Sequence, residues 1–259
     1  MARVRERWVV KAGSQLVCEG GPILVRAWMS QVAELRKKHG VEVIWVTSGA
    51  IASAVERTGA RKGVRRRARS LPEKQALSAI GQPLVMDLYN LALQSQGLLG
   101  AQILLTYDDL AAATRRRNFQ NTVEQLLKWN VTPILNENDA VATEEIRFGD
   151  NDSLSARVAR VMGADRLVIL TDVDGLYDSD PRENARARLL TEIPAISTAL
   201  LKKVARARGS AHGTGGMLSK LQAAREAARA SIPTRLARGD ALSVLTRIAR
   251  GERVGTQIG

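Results

Sequence analysis

Short apolar or β-branched runs alternate along the chain with longer stretches of helical periodicity. Strands are predicted at residues 8–11, 41–47, 101–105, 132–136 and 166–171, and helices at 22–39, 73–95, 119–129, 153–162 and 217–230. In the last helix Met217, Leu221, Ala224 and Ala228 recur at helical spacing and make one apolar face. Alternating strands and helices are the pattern of an α/β fold with a largely parallel sheet. No internal repeat or low-complexity linker breaks the pattern. A soft boundary falls near residue 163, where Gly163-Ala164-Asp165 precedes a new strand. It divides one continuous architecture into an N-terminal lobe, residues 1–163, and a C-terminal lobe, residues 164–259.

Polar sequences, three of them Gly-containing, follow four of these strands. The first ends Val10-Lys11-Ala12-Gly13-Ser14, the second Val46-Thr47-Ser48-Gly49-Ala50, the fourth Leu135-Asn136-Glu137-Asn138-Asp139 and the fifth Leu170-Thr171-Asp172-Val173-Asp174-Gly175. Any one of them is compatible with an ordinary turn. Together they point to one crevice, because ligands of open α/β sheets bind beyond the carboxyl ends of the strands.

Composition narrows the picture. The chain has 259 residues, 45% hydrophobic and 25% charged, the balance of a globular protein rather than a disordered one. With four Trp, three Tyr and two Phe, the core must rest on Ala, Val, Leu and Ile. The single cysteine, Cys18, excludes an internal disulfide, and with only His39 and His212 as imidazoles a protein-built zinc site is not expected. The net charge of +13 resides mainly in clusters: Arg65-Arg66-Arg67 with Arg69, Arg115-Arg116-Arg117, and Lys202-Lys203 with Arg206 and Arg208. None is interleaved with aromatics, so solvated faces are favoured over a nucleic-acid groove. No apolar run approaches the roughly 18 residues of a membrane span, and the N-terminus has no signal-peptide core. The expectation is a cytoplasmic protein with no nucleic-acid or membrane partner.

Two further segments carry candidate chemistry. Gly213-Thr214-Gly215-Gly216-Met217-Leu218-Ser219-Lys220 is a glycine-rich loop opening a helix, with a lysine in the first turn. Backbone N–H groups there can approach an anion, and the helix N-terminus adds partial positive charge; a mobile linker is the competing reading. It is not a Walker loop, since the chain contains no Gly-Lys dipeptide, and Leu218 stands where the dinucleotide fingerprint needs glycine. Protein-kinase signatures are absent as well. In Phe148-Gly149-Asp150-Asn151-Asp152-Ser153, two acids flanking an asparagine exceed what one helix cap requires.

Taken with Leu71-Pro72-Glu73-Lys74-Gln75-Ala76 and the extension of the fifth strand end to Leu176-Tyr177, these segments resemble the amino acid kinase family, in the family's order from residue 8 to residue 220. The resemblance implies a three-layer αβα sandwich around a mainly parallel sheet, with an amino-acid site in the N-terminal lobe and ATP over the C-terminal lobe. It implies transfer of the γ-phosphoryl of ATP to the side-chain carboxylate of L-glutamate. Lys11 and Lys220 would be the transition-state cations, and Asp152 the acid that holds them. Ser48, Asp139 and Asn151 match glutamate-binding positions, with Gly49, Ala50, Asn136 and Asp150 as neighbours. Lys11, Gly13, Thr171, Asp172, Thr214, Gly215, Gly216, Met217, Leu218, Ser219 and Lys220 match the ATP site. Mg²⁺ would arrive on the nucleotide phosphates rather than on protein ligands. A homo-oligomer and feedback inhibition by proline are further implications.

Departures from the family pattern are Gln15 in place of a second small polar residue, Ser219 in place of Thr, and Arg235 in place of an apolar residue. Many members carry a small C-terminal domain, and a chain stopping at Gly259 is expected to lack it. Two alternatives stay open from the residues alone. One keeps the fold and changes the acceptor to N-acetylglutamate, aspartate, carbamate or a nucleoside monophosphate. The other is a basic RNA-binding protein on an inactive kinase scaffold.

Overall fold

Strands buried on both faces read as unbroken apolar runs, and the centre of the sheet is built from such runs. The computed structural model describes residues 6–58, 70–142, 151–181, 183–207 and 216–259, without the side chains of 206 and 207. Among these, β1 (Glu6–Ala12), β2 (Val41–Val46), β3 (Leu99–Leu105), β4 (Val131–Glu137), β5 (Arg166–Thr171), β6 (Glu192–Ile193), β7 (Thr234–Arg238) and β8 (Thr256–Ile258) form one eight-stranded sheet. Its order is β3-β4-β2-β1-β5-β7-β8-β6, and every described pairing is parallel except β7 with β8.

The helices are α1 (Ser14–Glu34), extended by a π turn over Leu35–His39, α2 (Ala50–Arg57), α3 (Leu71–Gln94), α4 (Tyr107–Ala111), α5 (Ala113–Lys128), α6 (Asn151–Val161), α7 (Thr198–Ala207), α8 (Met217–Ala228) and α9 (Val244–Ala249). Side chains alternate across the pleat and sort them into two layers. Trp8, Val10, Trp45, Val168 and Leu170 pack with α1, α3 and α9, whereas Val9, Ile44, Val46, Leu167 and Ile169 pack with α5, α6 and α8. The expected three-layer αβα sandwich is therefore present.

All five predicted strands form, and the differences at helix ends have local causes. Helix starts at Ser14 rather than at 22, but Gly21 (φ 49°, ψ −147°) breaks it and Pro22 restarts it, so the predicted segment is the second part of α1. Helix α3 begins two residues before the predicted 73 because Ser70 and Glu73 close a capping box around Leu71 and Pro72. Strand β7 was not predicted: Thr234, Arg235 and Arg238 hide a core strand that pairs with β5 along its length. Arg235 is accommodated by donating to the Val254 carbonyl at 3.2 Å. The Arg115 head group faces Asp108 and Asp109 at the surface, a solvated helix face as expected; residues 65–69 lie outside the described residues. Among the described residues no helix is long and apolar enough to cross a membrane.

What positions the site is the parallel centre of the sheet. The carboxyl ends of β4, β2, β1, β5 and β7 open on one edge, and strands depart to both sides of β1, so the switch point lies beside its end. Helices α2 and α3 cross there so closely that a Cβ on Gly81 would collide with the Ala50 carbonyl group. Replacing Gly81 by Ala should therefore cost about 1–3 kcal/mol, as overpacking typically does. The expected result in urea is a lower unfolding midpoint at unchanged slope; a midpoint equal to the parent's would contradict the close crossing.

Candidate active site

One strand end and two helix starts deliver a buried ionic centre to the switch point. Lys11 is the penultimate residue of β1, Asp152 lies in the first turn of α6, and Lys220 lies in the first turn of α8. Their relative exposures are 3%, 0% and 6%. Lys11 Nζ is 2.5 Å from Asp152 Oδ1 and Lys220 Nζ is 3.1 Å from Oδ2. Ser219 Oγ donates to the same Oδ2 at 2.8 Å. One carboxylate thus holds two ammonium groups. Burial opposes ionisation of Asp152, but the charges of Lys11 and Lys220, with hydrogen bonds from Lys11 and Ser219, outweigh it and hold its pKa below the ordinary carboxylate value. With a depressed pKa, the stabilisation is complete above the unfolded carboxylate value of about 3.9 and is lost only as pH falls below it. Ser219, a departure from the family pattern, supplies a hydroxyl that reaches Asp152.

Beside this centre lies a cluster of amides. Asn151, next to Asp152, directs its Nδ2 at the Thr47 carbonyl (2.7 Å), Ser48 Oγ (2.8 Å) and Asn136 Oδ1 (2.7 Å). The turn carrying Ser48 is anchored from behind. Thr47 Oγ1 donates to Tyr89 OH at 3.0 Å, and the same hydroxyl accepts from Trp45 Nε1 at 2.9 Å. Gly49 holds φ 104°, a conformation that favours glycine, and opens α2 with Ala50 as its buried first residue. Asp139 follows β4 and accepts from Ser78 Oγ of α3 at 3.3 Å.

The opposite side of the ionic centre is built from β5 and α8. Thr171 closes β5, its hydroxyl donating to Asp172 Oδ1 at 3.1 Å. Gly216 caps α8 with no side-chain hydrogen bond, so the first backbone N–H groups of Met217 and Leu218 have no intrahelical acceptor. Such a terminus, with Lys220 one turn in, suits an anion. Gly13 precedes α1 so near Lys11 that an added Cβ would lie 3.6 Å from Nζ. Gln15, the first departure, points outward and donates to Glu19 at 3.2 Å. Asp150, Thr214 and Gly215 were also expected here and lie outside the described residues. Among the described residues no three His, Cys, Asp or Glu side chains converge as metal ligands.

Sequence reasoning missed the contribution of α3. Gln75, Ser78 and Gln82 lie on one face of it, reaching the Ala142 carbonyl, Asp139 and the Glu137 carbonyl in turn. The available signal was their i, i+3, i+7 spacing, a polar stripe on a helix whose later turns bury Val85, Met86 and Tyr89.

Comparison with known proteins agrees with this geometry. The sequence pattern of the amino acid kinase family matches residues 6–238. Glutamate 5-kinase of Nitrosococcus oceani is 46% identical over 258 residues, covering 98% of this chain and 67% of the relative. Glutamate 5-kinase of Teredinibacter turnerae is 44% identical, with coverages of 96% and 66%, and that of Carboxydothermus hydrogenoformans 46%, with 96% and 67%. The chain thus spans about two thirds of the length of these relatives. The crystal structure of UMP kinase from Bacillus anthracis superposes with a TM-score of 0.65 at 17% identity, covering 99% of this chain and 97% of that one, which supports the fold alone. With the switch-point ionic centre in place and a match that runs through nearly all of the sheet, the chain belongs to the amino acid kinase family.

Proposed function

We propose that the chain is a glutamate 5-kinase, transferring the γ-phosphoryl of ATP to the side-chain carboxylate of L-glutamate to give L-glutamyl 5-phosphate and ADP, the first step of proline biosynthesis. The observation that carries the reading is the buried Lys11–Asp152–Lys220 centre between an amide cluster and the uncapped start of α8. The relatives' names supply the substrate. In this reading residues 1–163 hold the amino acid and residues 164–259 the nucleotide. A cytoplasmic location, a homo-oligomer and feedback inhibition by proline belong to the same proposal and rest on the family resemblance.

The chemistry asked of the protein is limited. A glutamate side chain is already ionised at neutral pH, so no general base is needed. The obstacles are repulsion between two anions and the charge spread over the transferring group, and positioned cations counter both. Lys11 approaches from β1 and Lys220 from α8, and Asp152 sets their separation while neutralising only one of their two charges. The α8 N-terminus and Lys220 suit the nucleotide phosphates, and Thr171 and Asp172 stand beside them at the end of β5. Mg²⁺ carried by those phosphates would supply further neutralisation. On the acceptor side, Ser48 and Asn151 offer neutral polar groups, and Asp139 a carboxylate for the α-ammonium group.

Two predictions follow from this division of labour. In Lys220→Ala, and likewise in Lys11→Ala, kcat for glutamate-dependent ADP release should fall about 10²–10³-fold with the fold intact, the usual loss for a positioned electrostatic donor. Near-parental kcat in either folded variant would remove that lysine from the mechanism. In Asp139→Ala the glutamate KM should rise about 10- to 150-fold while the ATP KM holds, because a hydrogen bond to a charged group is worth roughly 1.5–3 kcal/mol. Paired steady-state titrations decide it, and an unchanged glutamate KM would return Asp139 to the role of a turn residue.

A further inference from the structure

A chain of side-chain amides runs from the edge strand β3 to the acceptor side of the site, and backbone groups fix its direction. Asn151 Nδ2 sits 2.7 Å from the Thr47 carbonyl, which can only accept, so the nitrogen must occupy that side. Asn136 Oδ1 accepts from the Glu137 N–H at 2.9 Å, a group that can only donate, and the same oxygen accepts from Asn151. Asn136 Nδ2 is thereby turned to Gln82 Oε1, at 3.2 Å. Gln82 is fixed in turn, because its Nε2 donates to the Glu137 carbonyl at 3.2 Å. Its Oε1 also takes a hydrogen bond from Gln102 at 3.1 Å. Reversing Asn136, Asn151 or Gln82 would set nitrogen against N–H or oxygen against carbonyl.

The consequence lies at the far end. With Nδ2 engaged three ways, Asn151 Oδ1 is buried and has no hydrogen-bond partner among the described residues. Buried carbonyl oxygens are nearly always paired, so this one is an acceptor kept for a donor that the described residues do not supply. Gln82 itself is buried, and both of its polar atoms are used within the protein.

We infer that Gln82 is a positioning residue for the acceptor substrate. By accepting from Asn136 it holds the Asn136 oxygen on Asn151, and so keeps the Asn151 carbonyl oxygen available to a ligand N–H donor, the class to which the α-ammonium group of a free amino acid belongs. The inference rests on the glutamate kinase reading and adds to it a source of selectivity for an unacylated amino group.

Gln82 variants, alone and in an Asn151→Ala background, test it through their glutamate and ATP titrations. Gln82→Met removes the acceptor under Asn136 while matching length and shape, and should raise the glutamate KM about tenfold, the scale of one stranded buried donor, with kcat and the ATP KM within about twofold. Gln82→Ala provides the same comparison with a smaller side chain. Gln82→Glu keeps an acceptor toward Asn136 and, as the protonated acid, a donor toward the Glu137 carbonyl, and should bring the glutamate KM back to within about threefold of the parent. Added to Asn151→Ala, Gln82→Met should change the glutamate KM by less than about twofold, because the group it positions is gone. A full tenfold effect in that background, or equal rises in both KM values, overturns the inference while leaving an active parent and the kinase reading intact. A parent with no glutamate-dependent ADP release overturns both.

Discussion

Asp152 is buried with an ammonium group on each of its oxygens, and this three-charge cluster constrains the structure around it. Each ion withdrawn from water carries a penalty of several kcal/mol, and mutual attraction offsets it only where geometry is good and the remaining hydrogen-bonding capacity is used. Here β1 supplies Lys11, the start of α6 supplies the carboxylate, and the start of α8 supplies Lys220 together with the Ser219 hydroxyl. The three elements must therefore meet within hydrogen-bonding distance. The parallel pairing of β1 with β2 and β5 allows this, because it sends successive strand ends to one edge. Aligned peptide dipoles at the start of α6 also favour the carboxylate there.

Around that cluster the chemistry separates by side. Toward β2 and β4 the groups are amides and hydroxyls with the Asp139 carboxylate, anchored by Tyr89 and by the stripe on α3. Toward β5 and α8 they are a threonine, an aspartate and the first N–H groups of α8, which have no side-chain cap among the described residues. A small zwitterionic acceptor suits the first side and a polyphosphate the second, so the cations stand where two anions would approach each other.

Much of this was legible along the chain for physical reasons. Central parallel strands are apolar on both faces, so residues 8–11, 41–47 and 166–171 stood out, and the polar turns behind them marked the site. Strand β7 was hidden because Arg235 and Arg238 interrupt its apolar pattern, the first relieved by a carbonyl on the chain after α9. The first part of α1 was hidden by Gly20-Gly21-Pro22, which reads as a stop although the helix resumes. Lys11, Asp152 and Lys220 could each be singled out by position. That both lysines share one carboxylate is a tertiary fact that no local spacing encodes. Gln82 escaped because a glutamine in a helix ordinarily faces solvent, and only its donors and acceptors show that it faces inward.

The account turns on Asp152 as the organiser of two cations, and the most direct measurement is single-turnover phosphoryl transfer to glutamate by Asp152→Asn. The amide keeps the shape and loses the charge. The account predicts a folded protein whose transfer rate falls at least as far as in either lysine variant, about 10²-fold or more, since the pair loses its common anchor. A folded Asp152→Asn protein that transfers phosphoryl groups at the parental rate would contradict it.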